Sequence, residues 1–309
     1  MLRKMIVGSR KSKLALTQTN WVIQELKKKW PELEFQIHEI VTKGDKILDV
    51  TLNKVGGKGL FVSEVETALQ TGQIDFAVHS MKDVPAQLAE NLVIGAIPKR
   101  ESPLDCLVFD QVTHLEQLPV GAVIGTSSLR RAAQLQLLRP DFQIRPIRGN
   151  IDTRLKKLRE EDFDAIVLAE AGLSRMGWLE NDSLKWESLP AEFCLPAVGQ
   201  GALAVECREN DLEVQQFLAA IHDADTGFTV RAERAFLTRL DGGCEIPLAG
   251  FAEKHGNEVN IRGMVANPET FTFYRTVRTG IEPEQVGISA AEELLASGAG
   301  KVIRELKKK

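Results

Sequence analysis

Short apolar runs alternate with amphipathic helical stretches through the first two thirds of the chain, and this rhythm limits the fold more than any other feature. MIV, a helical stretch from about Lys13 to Lys29, LEFQIHEIV, a second helical stretch from about Leu60 to Gln70, IDFAV and LVIGAI form one series. Such alternation is what a sheet with helices on both faces requires, because each strand must be apolar on both sides and each helix on one. After PKRESP, at about 98 to 103, a second series of the same kind begins: CLVF, AVIG, a helix over Leu129 to Leu138, FQIRPI, a helix over Ile151 to Glu160, and DAIVLA. The segment LPAVGQGALAVEC adds a strand that can return to the first domain. The remainder changes character. A helix from about Thr226 to Leu240, three strand-like runs (LAGFAE, EVNIRGMV, TFTFYRTV) and a helix near Ile288 to Leu295 fit an α+β domain with helices packed on one antiparallel sheet.

At 309 residues, 43% of them hydrophobic, the chain has the material for two or three cores at about 150 residues per domain. Acidic residues number 43 against 39 basic ones, a net charge of -4, which argues against a broad nucleic-acid surface and makes any anion site local. The opening MLRKMIVGSR lacks the apolar core of a signal peptide, and no later run is long enough to span a bilayer. The expectation is a soluble, cytoplasmic protein that touches no membrane. Cys106, Cys194, Cys207 and Cys244 show no C-x-x-C spacing and no paired histidines, so neither a metal site nor a disulfide framework is expected. Cys106 and Cys207 lie in or beside apolar runs, where a thiol serves as a small hydrophobe. Cys244 differs, standing in LDGGCEIP between a glycine pair and a proline, the chemistry of an exposed turn.

Ligands of open α/β sheets bind beyond the carboxyl ends of the strands, against helix N-termini, and those turns are unusually basic in this chain. Arg10 and Ser12 follow the first strand; Lys54 and Lys58 stand in KVGGKGLF; Lys82 and Asp83 stand side by side in VHSMKDVP. In the second series Thr126, Ser127 and Ser128 precede a helix opening with Arg130 and Arg131, IRGNIDTR carries Arg148 and Arg154, and AGLSRMG carries Arg175. Each feature has a plain alternative. Ser127-Ser128 serves as a helix cap, Arg130-Arg131 as a solvated face, and Lys82-Asp83 as a surface ion pair worth under about 1 kcal/mol. The glycine loop lacks Walker spacing. Taken together, arginines, hydroxyls and free amides on the turns of two domains suit a polyanionic ligand held between them.

The ordered motifs VGSRKSKLAL, VTKGD, KVGGKGLF, AVHSMKDVP, GTSSLRR, IRGNIDTRL, PAVGQGA, AERAFL and GGC resemble those of the porphobilinogen deaminase (hydroxymethylbilane synthase) family across nearly the whole chain. The resemblance implies two type II periplasmic-binding-protein-like α/β domains plus a C-terminal α+β domain with an antiparallel three-stranded sheet. The boundaries would be 1–98 with 198–220, 103–194, and 223–309. It also implies a transferase of tetrapyrrole (haem) biosynthesis that condenses four porphobilinogens head to tail with release of ammonia, then hydrolyses the product to hydroxymethylbilane. The implied cofactor is a dipyrromethane joined by a thioether to Cys244.

Each pyrrole carries an acetate and a propionate, which arginine forks match. On this reading Arg10, Arg130, Arg131, Arg148, Arg154 and Arg175 hold carboxylates, with Lys54, Lys58, Lys82, Ser12, Thr126, Ser127 and Ser128 assisting. Ser80, Gly149 and Gln200, from the same motifs, complete the cofactor and substrate site. Asp83 is the expected catalytic group. A carboxylate near the pyrrole nitrogens stabilises the electron-poor ring left by ammonia loss and accepts the proton released when the next bond forms. Lys82 holds substrate carboxylate or keeps Asp83 ionised.

The chain departs from the family pattern at Glu245, where glutamine is usual, at RESPLDCLVF, and at Glu170, where a small residue is usual. A competing class is a binding module, because the same two-lobed architecture serves anion receptors and effector domains of transcription regulators. Neither an export signal nor a helix-turn-helix segment supports it. The expected partner is porphobilinogen, and the expected state a monomer.

Overall fold

The computed structural model describes residues 4–46, 62–182, 184–243 and 246–308. The chain divides into two compact units: the first contains, among described residues, 4–46, 62–101 and 201–228, and the second 102–182, 184–200, 229–243 and 246–308.

In the first unit, β1 (Met5–Arg10), β2 (Phe35–Ile40), β3 (Phe76–Ser80), β4 (Leu92–Ala96) and β10 (Leu203–Arg208) hydrogen-bond in the order β2-β1-β3-β10-β4. β1 runs parallel to β2 and β3, while β10 is antiparallel to β3 and β4. The strands are apolar at successive positions because alternate residues feed opposite cores. Met5, Val7, Phe76, Val78, Leu203 and Val205 pack with Val22 and Leu26 of α1 (Lys13–Lys29) and with Val214 and Leu218 of α6 (Leu212–Ala219). Ala77 faces the other way, toward Val65 and Leu69 of α2 (Ser63–Gln70). Ser12 starts α1 as its N-cap, accepting a hydrogen bond from Ala15 N at 3.3 Å.

The second unit repeats the pattern. β5 (Asp105–Phe109), β6 (Val123–Gly125), β7 (Gln143–Arg145), β8 (Ala165–Ala169) and β9 (Lys185–Leu189) lie in the order β7-β6-β8-β5-β9, with β5 antiparallel to both neighbours. Leu107, Phe109, Ile124 and Val167 face Leu135 of α3 (Leu129–Leu138), and Cys106, Val108, Ile166 and Leu168 face Leu155 and Leu158 of α4 (Ile151–Glu160). A short helix, α5 (Glu170–Arg175), leaves the end of β8. In both sheets the antiparallel member is the strand that follows a crossing of the chain: β5 after the exit at Glu101, β10 after the return at Gly201.

The same unit holds the antiparallel sheet β11 (Leu248–His255), β12 (Glu258–Asn267) and β13 (Thr272–Gly280), with most of α7 (Ala224–Leu240), α8 (Pro283–Leu294) and α9 (Gly300–Leu306). The fold class is thus α/β, with two domains each built on a five-stranded mixed sheet, and a C-terminal α+β domain with a three-stranded antiparallel sheet. α7 is seated by close approach. Gly250 and Gly263 pair across β11 and β12, and the Phe236 ring fills the recess they leave; a Cβ would meet it at 2.9 Å and 2.6 Å respectively. The backbone of α8 comes closer still. A Cβ on Gly287 would lie 2.1 Å from the carbonyl oxygen of Ala232 in α7.

The helices expected at 13–29, 129–138 and 151–160 have those bounds in the structure. Others shift: β3 runs on to Ser80, and α8 starts at Pro283 because a proline at the first turn is preset for helix. β9 was not expected from KWESL, whose polar residues suit an edge strand with one neighbour. α5, α6 and α9 are likewise additions.

Gly287→Ala tests the seat of α7. Alanine favours helix by up to about 1 kcal/mol over glycine, but here its methyl must push the backbones of α7 and α8 apart. A net loss of ~1–3 kcal/mol is expected in urea unfolding, and an unchanged midpoint would show that α7 and α8 do not approach this closely.

Candidate active site

In the first unit the expected residues converge by strand order. β1 and β3 are parallel neighbours, so Arg10 and Ser80 end on the same edge of the sheet, and Ser12 opens α1 beside them. Gln18 of α1 ties this edge together, donating from Nε2 to Ser80 Oγ at 3.0 Å. Met81–Asp83 then makes one 3₁₀ turn. The turn is pinned on both sides: Met81 N donates to Ala202 O at 3.0 Å, Val84 N donates to Met81 O at 3.1 Å, and both side chains are buried. Between these anchors Asp83 is exposed, with no hydrogen bond or ion pair to another described residue, and Lys82 is half-buried beside it. An exposed carboxylate on a clamped turn is a fixed, accessible proton acceptor. Lys54 and Lys58 lie outside the described residues.

In the second unit the carboxyl ends of β6, β7 and β8 likewise share an edge. Thr126, Ser127 and Ser128 form the turn after β6. Ser128 caps α3 through Arg131 N, Thr126 Oγ1 accepts from Ser128 N at 3.2 Å, and Ser127 Oγ donates to Ile147 O at 2.8 Å. The hydroxyls therefore brace the turn that carries the arginines. Arg130 and Arg131 do not form a solvated face, being only 6% and 7% exposed. Both reach Asp105, the first residue of β5, at 2.7 Å. Gln200 joins them, donating to Asp105 Oδ1 at 2.9 Å and to Pro103 O at 2.7 Å.

Arg148 and Arg154 flank Gly149, whose carbonyl accepts from Arg154 Nε at 2.8 Å. Burial, then the neighbouring guanidiniums of Arg131 and Arg148, pull Arg154 down to about 10. It stays charged at neutral pH, against the repulsion of two like charges. Arg148 has no hydrogen bond or ion pair to another described residue. Such crowding is relieved by an anion, and carboxylates on pyrrole rings are anions that guanidinium forks fit. Arg175, at the end of α5, is half-buried.

Cys244 and Glu245 lie outside the described residues. The other three cysteines are buried, and burial raises every thiol: Cys207 to about 11, Cys194 to about 12, Cys106 further. None of the three is a nucleophile at neutral pH. The departures at 102–106 and 170 belong together, since Ser102 and Ser188 both donate to the buried Glu170 carboxylate. Asp105, inside that segment, is the residue that sequence reasoning passed over. Its signal is an acid opening an otherwise apolar strand, DCLVF.

Residues 5–216 match the family model described as porphobilinogen deaminase, dipyromethane cofactor binding domain, and residues 228–296 match that of the porphobilinogen deaminase C-terminal domain. The chain belongs to the porphobilinogen deaminase family. Relatives named porphobilinogen deaminase include one from Listeria innocua, 66% identical over 99% of both chains, and one from Listeria welshimeri, 64% identical over 100% of both. Another, from Geobacillus kaustophilus, is 56% identical over 99% of both. Porphobilinogen deaminases are hydroxymethylbilane synthases, transferases of tetrapyrrole synthesis with a dipyrromethane cofactor, and this chain is an enzyme of that class. Among the described residues no helix is long and apolar enough to cross a membrane.

Relieving the arginine crowding should stabilise the fold while weakening anion binding. Arg148→Gln is expected to raise the melting temperature of ligand-free protein by roughly 1–2 °C and to reduce its stabilisation by added polycarboxylate. An unchanged melting curve and unchanged protection would mean that the guanidiniums do not sense one another.

Proposed function

We propose that this porphobilinogen deaminase divides its reaction between a catalytic carboxylate, Asp83, and a carboxylate-binding set centred on Arg131, Arg148 and Arg154. The observation that carries this reading is Asp83 itself: an exposed carboxylate with no partner of its own among the described residues, on a turn fixed by buried Met81 and Val84. Beside a bound porphobilinogen it accepts a hydrogen bond from the pyrrole N–H. It supports the positive charge that grows on the ring as ammonia leaves, then takes the proton released when the new carbon–carbon bond has formed. Lys82 adds positive charge that attracts substrate carboxylate.

The crowded guanidiniums fit a cofactor built of carboxylated pyrroles. Arg131, Arg148 and Arg154 would hold its acetate and propionate groups, with Arg10 and Arg175 serving further rings. Ser12, Ser80, Thr126, Ser127, Ser128 and the Gly149 carbonyl keep these turns in shape. When bound, the dipyrromethane supplies the nucleophilic pyrrole carbon to which rings are added. Cys244 is its proposed attachment point, supported by the inert burial of Cys106, Cys194 and Cys207. Lys54 and Lys58 are proposed to assist at the substrate carboxylates.

The proposed setting is a cytoplasmic monomer that binds no nucleic acid, divided at 1–98 with 198–220, 103–194 and 223–309. Unpaired thiols suit a reducing compartment, a net charge of -4 suits no polyanion scaffold, and no step described needs a second copy.

Asp83→Asn keeps side-chain size and removes the proton acceptor. Turnover is expected to fall roughly 10²- to 10⁴-fold with KM for porphobilinogen little changed, and normal turnover would reject the assignment. Intact mass tests attachment, and separates the enzyme from a mere binding module. The purified protein should carry the mass of a two-ring adduct, retained in Cys207→Ala and lost in a folded Cys244→Ser variant.

A further inference from the structure

Asp105 is wholly buried at the head of β5, paired to Ala169 of β8 and Leu189 of β9. Its Oδ2 accepts from Arg130 Nη1 at 2.7 Å, and its Oδ1 accepts from Arg131 Nε at 3.0 Å and Arg131 Nη2 at 2.7 Å, as well as from Gln200. Cys194 Sγ lies 3.4 Å from Oδ2. Burial alone would push this carboxyl up. The two guanidiniums outweigh it and hold the group well below the usual carboxylate range, so Asp105 is a permanent anion.

The two arginines use it differently. Arg130 Nη1 also donates to Leu195 O at 2.8 Å, which turns this guanidinium into the interior. Arg131 gives Nη1 to Val167 O at 3.1 Å. A guanidinium has five N–H donors, so Arg131, with Nε and one hydrogen on each Nη engaged, keeps two. It is also the larger charge neighbour of Arg154. Arg131 thus has one edge fixed on protein and a remainder set toward the other arginines' charge.

We propose that Asp105 is a positioning residue for ligand carboxylates: it locks the Arg131 guanidinium so that its two remaining N–H groups are pre-aimed, and through Gln200 it ties that orientation to the point where the chain leaves the unit. The inference rests on the reading that Arg131, Arg148 and Arg154 bind substrate and cofactor carboxylates. Its sign separates it from two simpler accounts. If Asp105 only diluted positive charge, removing its charge would tighten anion binding. If it only held the fold, stability would fall and substrate affinity would stay. A positioning role predicts weaker binding despite the added net positive charge, because a guanidinium freed of its anchor must be ordered again by each ligand.

The test is steady-state kinetics with porphobilinogen on holoenzyme whose adduct has been verified by intact mass, comparing wild type, Asp105→Asn, Gln200→Met and Arg131→Leu. For Asp105→Asn, KM is expected to rise roughly 10- to 100-fold while kcat stays within about five-fold; loss of the adduct from a folded variant supports the same role, since the adduct's rings carry the same carboxylates. An unchanged or lowered KM overturns the proposal. Gln200→Met keeps the Asp105 charge and both arginine contacts, so it serves if Asp105→Asn does not fold. A rise of roughly 3- to 10-fold is expected there, and no rise overturns the proposal. Arg131→Leu distinguishes the two levels. Unchanged KM in that variant rejects the underlying carboxylate-binding reading, whereas raised KM there with unchanged KM in Asp105→Asn rejects the Asp105 role alone.

Discussion

Burying an unpaired carboxylate costs several kcal/mol, yet Asp105 has no exposure at all, and the second unit is arranged around making that tolerable. Two guanidiniums and an amide supply its donors, so that three distant stretches of chain meet here: α3, the segment ending at Gln200, and β5 itself. Removing either party would leave a buried charge alone. Such an interaction adds little net stability, and its structural effect is to join pieces of chain far apart in sequence.

Charge imbalance is the other side of this arrangement. One carboxylate faces Arg130 and Arg131, and beyond them stand Arg148 and Arg154, the latter depressed to about 10 by burial and its like-charged neighbours. A fold selected for stability alone would not leave guanidiniums crowded in this way. Sites that must capture charge accept such local conflict, because repulsion among empty donors adds to the gain when an anion arrives. The first unit shows the opposite economy at Asp83, where the turn is satisfied by its buried neighbours and the carboxylate is left exposed.

Local rules were enough to read much of this chain. Ser128 was readable as a helix cap because an N-cap is a contact within three residues, and α1, α3 and α4 have the expected bounds. The turns that carry Asp83, Arg131 and Arg148 were legible because strand ends and helix starts are local too. Asp105 was not, since its partners lie 25, 26 and 95 residues away. Glu233 is similar: fully buried on α7, it accepts from Gly199 N and from Ala252 N, a role no neighbouring residue announces. The inward turn of Arg130 was hidden for the same reason. Lys54, Lys58 and Cys244 were legible as motifs and stand outside the described residues.

The late return of β10 to the first sheet sets an order of assembly. The second sheet is contiguous in sequence from Asp105 to Leu189 and has all five strands once that stretch has been made. The first begins at Met5 but lacks its fourth-position strand until Leu203–Arg208 emerges, so β3 and β4 must wait as unpaired edges while an entire second domain is synthesised. Unsatisfied edges are where chains associate wrongly. The first sheet is therefore begun before the second and completed after it, and its exposure to misassembly is measured by the time a ribosome takes to pass from Ala96 to Arg208.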